Sequence, residues 1–410
     1  MTTTTGGPPP AGPATVQKRA PAPLAGTTER LRSGELGAWP VIIGLIIIWI
    51  VFQSLNDRFL TPQNLSNLAL QMAAAGTISV GVVLVLLLGE IDLSVGSVAG
   101  LGAAILAVLS VRHGVNEILA VVTVLVAGAV IGSVHGFIFA SVGVPAFVVT
   151  LAGNLGWLGL QLYLLFPQGT INIPYDGFVA KLTHTNLPAA VGWLIAALVV
   201  GAYAVAVLVD GVLRQRAGLP ARSMTASLLR IVGLAIVIGA AVAVLNDWQG
   251  VPLALVIFVG LVVVMDLVLR RTRYGRQIYA VGGNVEAARR AGVNVRLVRI
   301  SVFALASTFA AFGGILFASR SFSASQATGG GDTLLIAIAA AVIGGVSLFG
   351  GRGSTYGALL GSLVLGSITS GMFLLQLESS VRYMITAAVL LAAVVLDSLS
   401  RRGRRAHGRQ

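Results

Sequence analysis

Arg270-Arg-Thr-Arg-Tyr-Gly-Arg-Gln-Ile-Tyr-Ala-Val-Gly-Gly-Asn-Val-Glu-Ala-Ala-Arg-Arg-Ala-Gly-Val-Asn-Val-Arg-Leu-Val-Arg299 is one long basic interruption in a chain that is otherwise apolar almost from end to end. Within it, Asn284 can cap a helix with Glu286 in its first turn, Arg289 and Arg290 in its last, and Gly292 as its stop. Each residue type stands where unpaired backbone groups and the helix dipole favour it. At about 1.5 Å per residue such a helix is roughly 10 Å long, a third of the ~30 Å hydrocarbon core of a bilayer. It is therefore expected outside the membrane, docking a partner through Asn284, Glu286, Ala287, Arg289, Arg290 and Gly292. The plain alternative is a solvated basic loop.

Around that stretch the composition is that of a membrane protein. Of 410 residues 56% are hydrophobic and 10% charged, and the mean hydropathy is +0.92. The expected fold class is all-α and polytopic, with residues 37–400 as one transmembrane domain. The long apolar runs lack period-two alternation, which argues against a barrel. The absence of cysteine removes disulfides, thiolate metal sites and cysteine nucleophiles together. A net charge of +13 would suggest nucleic acid in a soluble protein, but in a membrane protein arginine collects in cytoplasmic segments, so no nucleic-acid partner is expected. Residues 1–36, rich in Thr, Pro, Gly and Ala, read as a disordered basic tail, and residues 401–410 as a second basic tail. No compact apolar core followed by a small-residue cleavage site occurs in the first tail, so a cleaved signal peptide is not expected.

Apolar runs near 38–55, 65–89, 94–111, 117–140, 146–166, 187–209, 226–245, 251–269, 300–319, 334–349, 354–375 and 381–399 give about twelve spans, within a range of ten to fourteen, and broken or re-entrant helices among them are allowed for. An even number puts both termini on one side. With the termini inside, 22 Lys and Arg residues fall inside, and five, Arg58, Arg112, Lys181, Arg320 and Arg382, fall outside. That asymmetry favours cytoplasmic termini and a cytoplasmic 270–299. Gly128, Gly132 and Gly136 form one small-residue stripe and Gly353, Gly357 and Gly361 another, both expected to let helices approach closely. His135, inside the first stripe, is expected to be a packed polar group.

Signatures of catalysis fail one by one. There is no HExxH zinc pair, no serine flanked by glycines at nucleophile-elbow spacing, and neither Lys18 nor Lys181 follows a phosphate loop. Gly351-Arg-Gly-Ser-Thr-Tyr-Gly357 has the wrong spacing for a dinucleotide loop. No catalytic residue, cofactor or metal is expected. Asp266, four residues before Arg270, is expected to pair with it, and Asp397 lies near the basic tail. Glu90 and Asp92 differ, because Leu-Leu-Leu-Gly-Glu90-Ile-Asp92-Leu-Ser94-Val-Gly-Ser97 sets two carboxylates between long apolar runs, where charge is expensive. Asp92 or Ser94 can cap the next helix, and the same carboxylates can line a path or hinge where broken helices meet.

Glu90-Ile-Asp-Leu-Ser-Val-Gly-Ser97, Val144-Pro-Ala-Phe-Val-Val-Thr-Leu-Ala-Gly153, Tyr274-Gly-Arg-Gln-Ile-Tyr-Ala-Val-Gly-Gly-Asn284 and Val342-Ile-Gly-Gly-Val-Ser-Leu-Phe-Gly-Gly351 together resemble the permease subunits of ABC-type pentose importers, the ribose and xylose permeases. The resemblance covers about residues 64–398. Glu90 before Ile-Asp-Leu-Ser and the extra segment near 187–245, ending in Leu245-Asn-Asp-Trp-Gln-Gly-Val-Pro252, are similar to the xylose branch. The family often carries Glu-Leu-Asp where Leu334-Leu-Ile336 stands here, with Asp332 the nearest acid, and a basic residue where Leu158 stands. The resemblance implies a type II-like importer fold: two permeases around a central path, ATP-binding subunits on the cytoplasmic side and a sugar-binding protein outside. It also implies that residues 283–293 are a coupling helix fitting a groove in the ATPase.

The expected mechanism is a gated sugar conduit driven from outside the chain, with the binding protein doing the selecting. Candidate path residues are Gln71, Glu90, Asp92, Asn154, Trp157 and Gln161, since amides and aromatic rings suit sugar hydroxyls and faces. Trp157 and Gln161, four apart on one helix face, can equally be interfacial anchors. The competing class is a proton-coupled secondary transporter using Glu90 and Asp92. A membrane enzyme lacks any catalytic constellation.

Overall fold

The computed structural model describes residues 39–218 and 224–406, without the side chains of 393, 394 and 396–406. The expected tail at 1–36, Arg222 and the last residues of the C-terminal tail lie outside the described residues.

The chain is built of helices joined by short connections. They are α1 (Trp39–Leu55), α2 (Pro62–Leu87), α3 (Val95–Ala107), α4 (Glu117–Phe137), α5 (Ala146–Leu165), α6 (Phe178–His184), α7 (Ala189–Arg216) and α8 (Met224–Asn246). There follow α9 (Leu253–Arg271), α10 (Arg273–Gly283), α11 (Val285–Arg290), α12 (Val295–Ser321), α13 (Thr333–Ile343), α14 (Tyr356–Leu374) and α15 (Ser379–Ala406). Among the described residues nine helices are long and apolar enough to cross a membrane, with Trp39–Leu55, Thr333–Ile343 and Ser379–Ala392 as shorter apolar helices. The protein is an all-α polytopic membrane protein.

Local chemistry starts these helices. Thr61 precedes Pro62 and accepts from the Asn64 amide at 3.4 Å. Asn116 accepts from the amides of Ile118 and Leu119, and Asn294 from that of Leu297 at 3.0 Å. Proline at the first position and Asn or Thr at the cap satisfy or avoid the orphan N–H groups of a helix start. Two helices end in a π turn, Val108–Arg112 after α3 and Ile138–Val142 after α4.

Helix α2 is the hub, buried along nearly its whole length. Helix α12 packs on α2, α3 and α4, and α13 and α14 close the other side of α2. The first small-residue stripe works as expected: a side chain at Gly132 would overlap the Phe303 carbonyl, and one at Gly128 would come within 2.8 Å of the Ser307 carbonyl. The backbones of α4 and α12 therefore touch directly. The second stripe divides. Gly357 and Gly361 lie on α14 against Gly344 and Ala340, whereas Gly353 sits in the preceding loop. The additional helices α7 and α8 pack on each other at the periphery through Ala196, Val242 and Leu245.

One expected span is corrected. The run at 334–349 holds an 11-residue helix, roughly 16 Å long. It stops because Gly344 abuts Gly357 and Gly345 adopts φ +90°, a left-handed turn that glycine enters without strain. Another is longer than expected, since α12 begins at Val295 and takes Arg296 and Arg299 into its first turns. Two short ladders, Thr170–Asn172 with Ser323–Ser325 and Asn186–Leu187 with Val251–Pro252, tie connections together at the end of the bundle opposite the basic stretch.

Candidate functional site

At the basic end, residues 270–299 are almost wholly helical. Arg270 pairs with Asp266 at 2.8 Å, as the four-residue spacing predicts. Thr272 caps α10, an amphipathic helix that buries Gly275, Ile278 and Val281 and exposes Arg273 and Arg276. Two tyrosines hold it down: the Tyr274 hydroxyl meets that of Ser301 on α12 at 2.9 Å, and Tyr279 donates to the Gly353 carbonyl at 2.8 Å. At its end Gly282 lies flat on the Leu87 carbonyl, where any Cβ would collide.

Helix α11 follows at once. The Asn284 side chain accepts from the Ala287 amide at 2.9 Å, Glu286 and Arg289 form an exposed pair at 3.1 Å, and Gly292 takes φ +80°. Ala288 alone is buried, while Glu286, Ala287, Arg289 and Arg290 face outward. The cap and the stop are where the sequence places them. Sequence reasoning missed α10, because its apolar residues are spaced among arginines.

Beside this pair of helices, Arg299 reaches Glu90 at 3.8 Å and stacks over the Phe139 ring at 4.4 Å. At that separation the pair is a charge contact rather than a hydrogen bond. Burial pushes the Glu90 carboxyl above the usual carboxylate range, and the charge of Arg299 works against that shift.

Deeper in the bundle, Asp92 is buried and its Oδ1 accepts from both the Ser94 amide (2.8 Å) and the Ser94 hydroxyl (2.6 Å), while Oδ2 has no hydrogen-bond partner. Neither residue caps α3 in the expected way, because the Ser94 hydroxyl turns to Asp92 and makes no cap bond. Ser94 Oγ also stands 3.4 Å from His135 Nδ1, and Trp157 donates to His135 Nε2 at 2.9 Å. Trp157 is thus a half-buried hydrogen-bond partner of His135. His135, expected only to pack, joins α4, α5 and the linker before α3.

At the end opposite the basic stretch, Gln161 is buried and donates to the carbonyls of Ser325, Gln326 and Thr328. It clamps the loop between α12 and α13. Asn154, Trp157 and Gln161 share one face of α5, with Asn154 half-buried. Gln71 lies apart from them, on the wall of a cavity between α2, the end of α12, the start of α13, and α14. The six candidate path residues therefore fall into four places in the chain. Among the described residues no cluster of His, Cys, Asp or Glu is arranged to hold a metal.

The family model described as branched-chain amino acid transport system / permease component matches residues 64–394. The chain belongs to this permease family. The permease is 36% identical to the xylose transport system permease protein XylH of Escherichia coli (strain K12) over 381 residues, 93% of this chain and 96% of that protein. It is 30% identical to the XylH of Haemophilus influenzae over 91% of this chain and 99% of that protein. The ribose import permease protein RbsC of Escherichia coli is 31% identical over 87% of this chain and 92% of that protein. No solved structure matches the permease.

Proposed function

We propose that the permease is the membrane subunit of an ATP-driven importer, moving a pentose, D-xylose first among them, into a bacterial cell across its cytoplasmic membrane. Two copies would form the path, with both termini and residues 270–299 in the cytoplasm, an ATP-binding subunit below and a sugar-binding protein outside. The observation that carries this is helix α11, locked to the bundle by Ala288 while Arg289 and Arg290 project from it. A short, capped, charged helix outside the apolar bundle suits a groove on a soluble partner. The chain shows no phosphate-loop motif of its own. Similarity to xylose permeases along nearly the full length supports the sugar class.

The test is uptake of labelled D-xylose and D-ribose by vesicles holding the permease, its ATP-binding subunit and the binding protein. Uptake is expected to require ATP, and Arg289→Glu with Arg290→Glu is expected to cut it at least about tenfold and weaken co-purification of the ATP-binding subunit. Uptake by the permease alone under a proton gradient would instead establish the secondary transporter acting through Glu90 and Asp92. Unchanged uptake and assembly in the double variant would remove α11 from the docking role.

A further inference from the structure

The cavity that Gln71 borders has a volume of about 480 Å³, within the ~300–1,000 Å³ typical of small-molecule sites. Its position, at the last turn of α12 and the first turn of α13, is toward the end opposite the coupling helices. Three features of its wall call for a ligand. The Ser362 hydroxyl is 3% exposed and has no hydrogen-bond partner, and a buried polar group left unpaired is costly. Asp332 occupies the cap position of α13, yet its carboxylate makes no cap bond. Arg320 faces the same cavity, and no ion pair joins it to Asp332 among the described residues.

The loop that bears Asp332 is held in place. Gln161 grips the loop that leads to Asp332, and Gly329 in that loop lies against the backbone of Gly96 and Gly100 on α3. One cation and one anion cancel, which disfavours a ligand with net charge of either sign. Gln71 and Thr369 add neutral hydrogen-bonding groups, and Phe317 and Phe373 add aromatic side chains to the wall, with Arg382 stacked over the Phe373 ring at 4.2 Å. A molecule with several hydroxyls on an apolar ring frame uses all of these at once. A zwitterionic amino acid also matches the two charges, which makes it the competitor to test.

We infer that this cavity is a sugar-binding station within the permease itself, with Arg320, Asp332 and Ser362 contacting the hydroxyls. The permease then takes part in selection instead of passing whatever the binding protein delivers. This rests on the pentose reading proposed above. Gln161, expected to touch the path, becomes a positioning residue for the loop that bears Asp332.

The test is equilibrium binding of labelled D-xylose to the purified complex of permease and ATP-binding subunit, without binding protein or nucleotide, with unlabelled D-ribose and L-leucine as competitors. Saturable binding is expected, displaced by ribose and not by leucine. It should weaken about tenfold in Arg320→Ala and measurably in Ser362→Ala, with a raised KM for uptake in both. Ser362→Ala removes a single oxygen and guards against misfolding as the cause. Absence of binding, or an unchanged KM in both variants, while the full importer still takes up pentose, overturns the station and leaves the importer standing. Displacement by leucine overturns the station as a sugar site, and failure of the full importer to take up either pentose overturns the reading it rests on.

Discussion

The indole N–H of Trp157 can only donate, so its 2.9 Å bond fixes His135 Nε2 as an acceptor and leaves the ring proton on Nδ1. That proton faces the Ser94 hydroxyl, whose own proton goes to Asp92. Direction thus runs one way along the chain of bonds, from α5 through α4 to the carboxylate, and a neutral histidine is built in by its neighbours. Gly153 leaves the room, since a Cβ there would overlap His135 Nε2. Replacing Trp157 by Phe keeps the ring and removes the donor. It should cost about 1 kcal/mol, the usual scale of an interhelical hydrogen bond in a membrane, and leave sugar binding in the Arg320 cavity unchanged. A thermal inactivation midpoint equal to the wild type in detergent would show that the bond contributes nothing.

The close helix–helix seam of α4 on α12 depends on residues with no side chain to pack. Gly132→Val would drive a branched carbon into the Phe303 carbonyl, and overpacking of a tight contact costs at least about 1–3 kcal/mol. Reduced yield of folded permease by size-exclusion chromatography is the expected outcome, with Gly156→Val, at a position that touches nothing, as the tolerated control. That seam was legible in the sequence because a four-residue glycine spacing is a local signal. So was α11, since its cap, charges and stop lie within one turn of the helix they bound. Helix α10 went unread although Tyr274, Ile278 and Val281 stand at i, i+4 and i+7, because the arginines among them give the stretch the composition of a solvated loop. The break after Ile343 was legible in part, since Gly344-Gly345 is a turn signal within the apolar run, but the approach of Gly357 that fixes it is tertiary. For the candidate site, the residue types were readable and their grouping was not. Asp92, His135 and Trp157 meet through tertiary packing, and Arg320 looked like one of five outer cations until α13 set Asp332 on the wall of the same cavity.

Across the whole molecule, the proposed docking helix and the proposed sugar station stand at opposite ends, and what joins them is α12 itself. Its first turns carry Arg299, its last turn Arg320. At the basic end Arg299 touches two elements, Glu90 before α3 and Phe139 in the π turn after α4, and two residues further along the same helix Ser301 meets Tyr274 of α10. The Leu87 carbonyl at the end of α2 meets Gly282 of α10 and accepts from the Gly351 amide at 2.9 Å. In the proposed importer, a pull on α11 would therefore reach the ends of α2 and α12 first. A charge contact at 3.8 Å, looser than a hydrogen bond, suits a joint that opens and closes. Glu90→Gln keeps the size of the side chain and leaves Arg299 half-buried without its counter-charge. The cost should fall between the ~1 kcal/mol of an exposed pair and the ~3–5 kcal/mol of breaking a fully buried one. Because Phe139 still holds the guanidinium, assembly with the ATP-binding subunit should survive. The loss should instead show as fewer sugar molecules moved per ATP hydrolysed, and restoring the charge with Glu90→Asp should recover part of it. Equal uptake per ATP in Glu90→Gln and the wild type would make the carboxylate purely structural and would require the motion of α11 to travel through α2 alone.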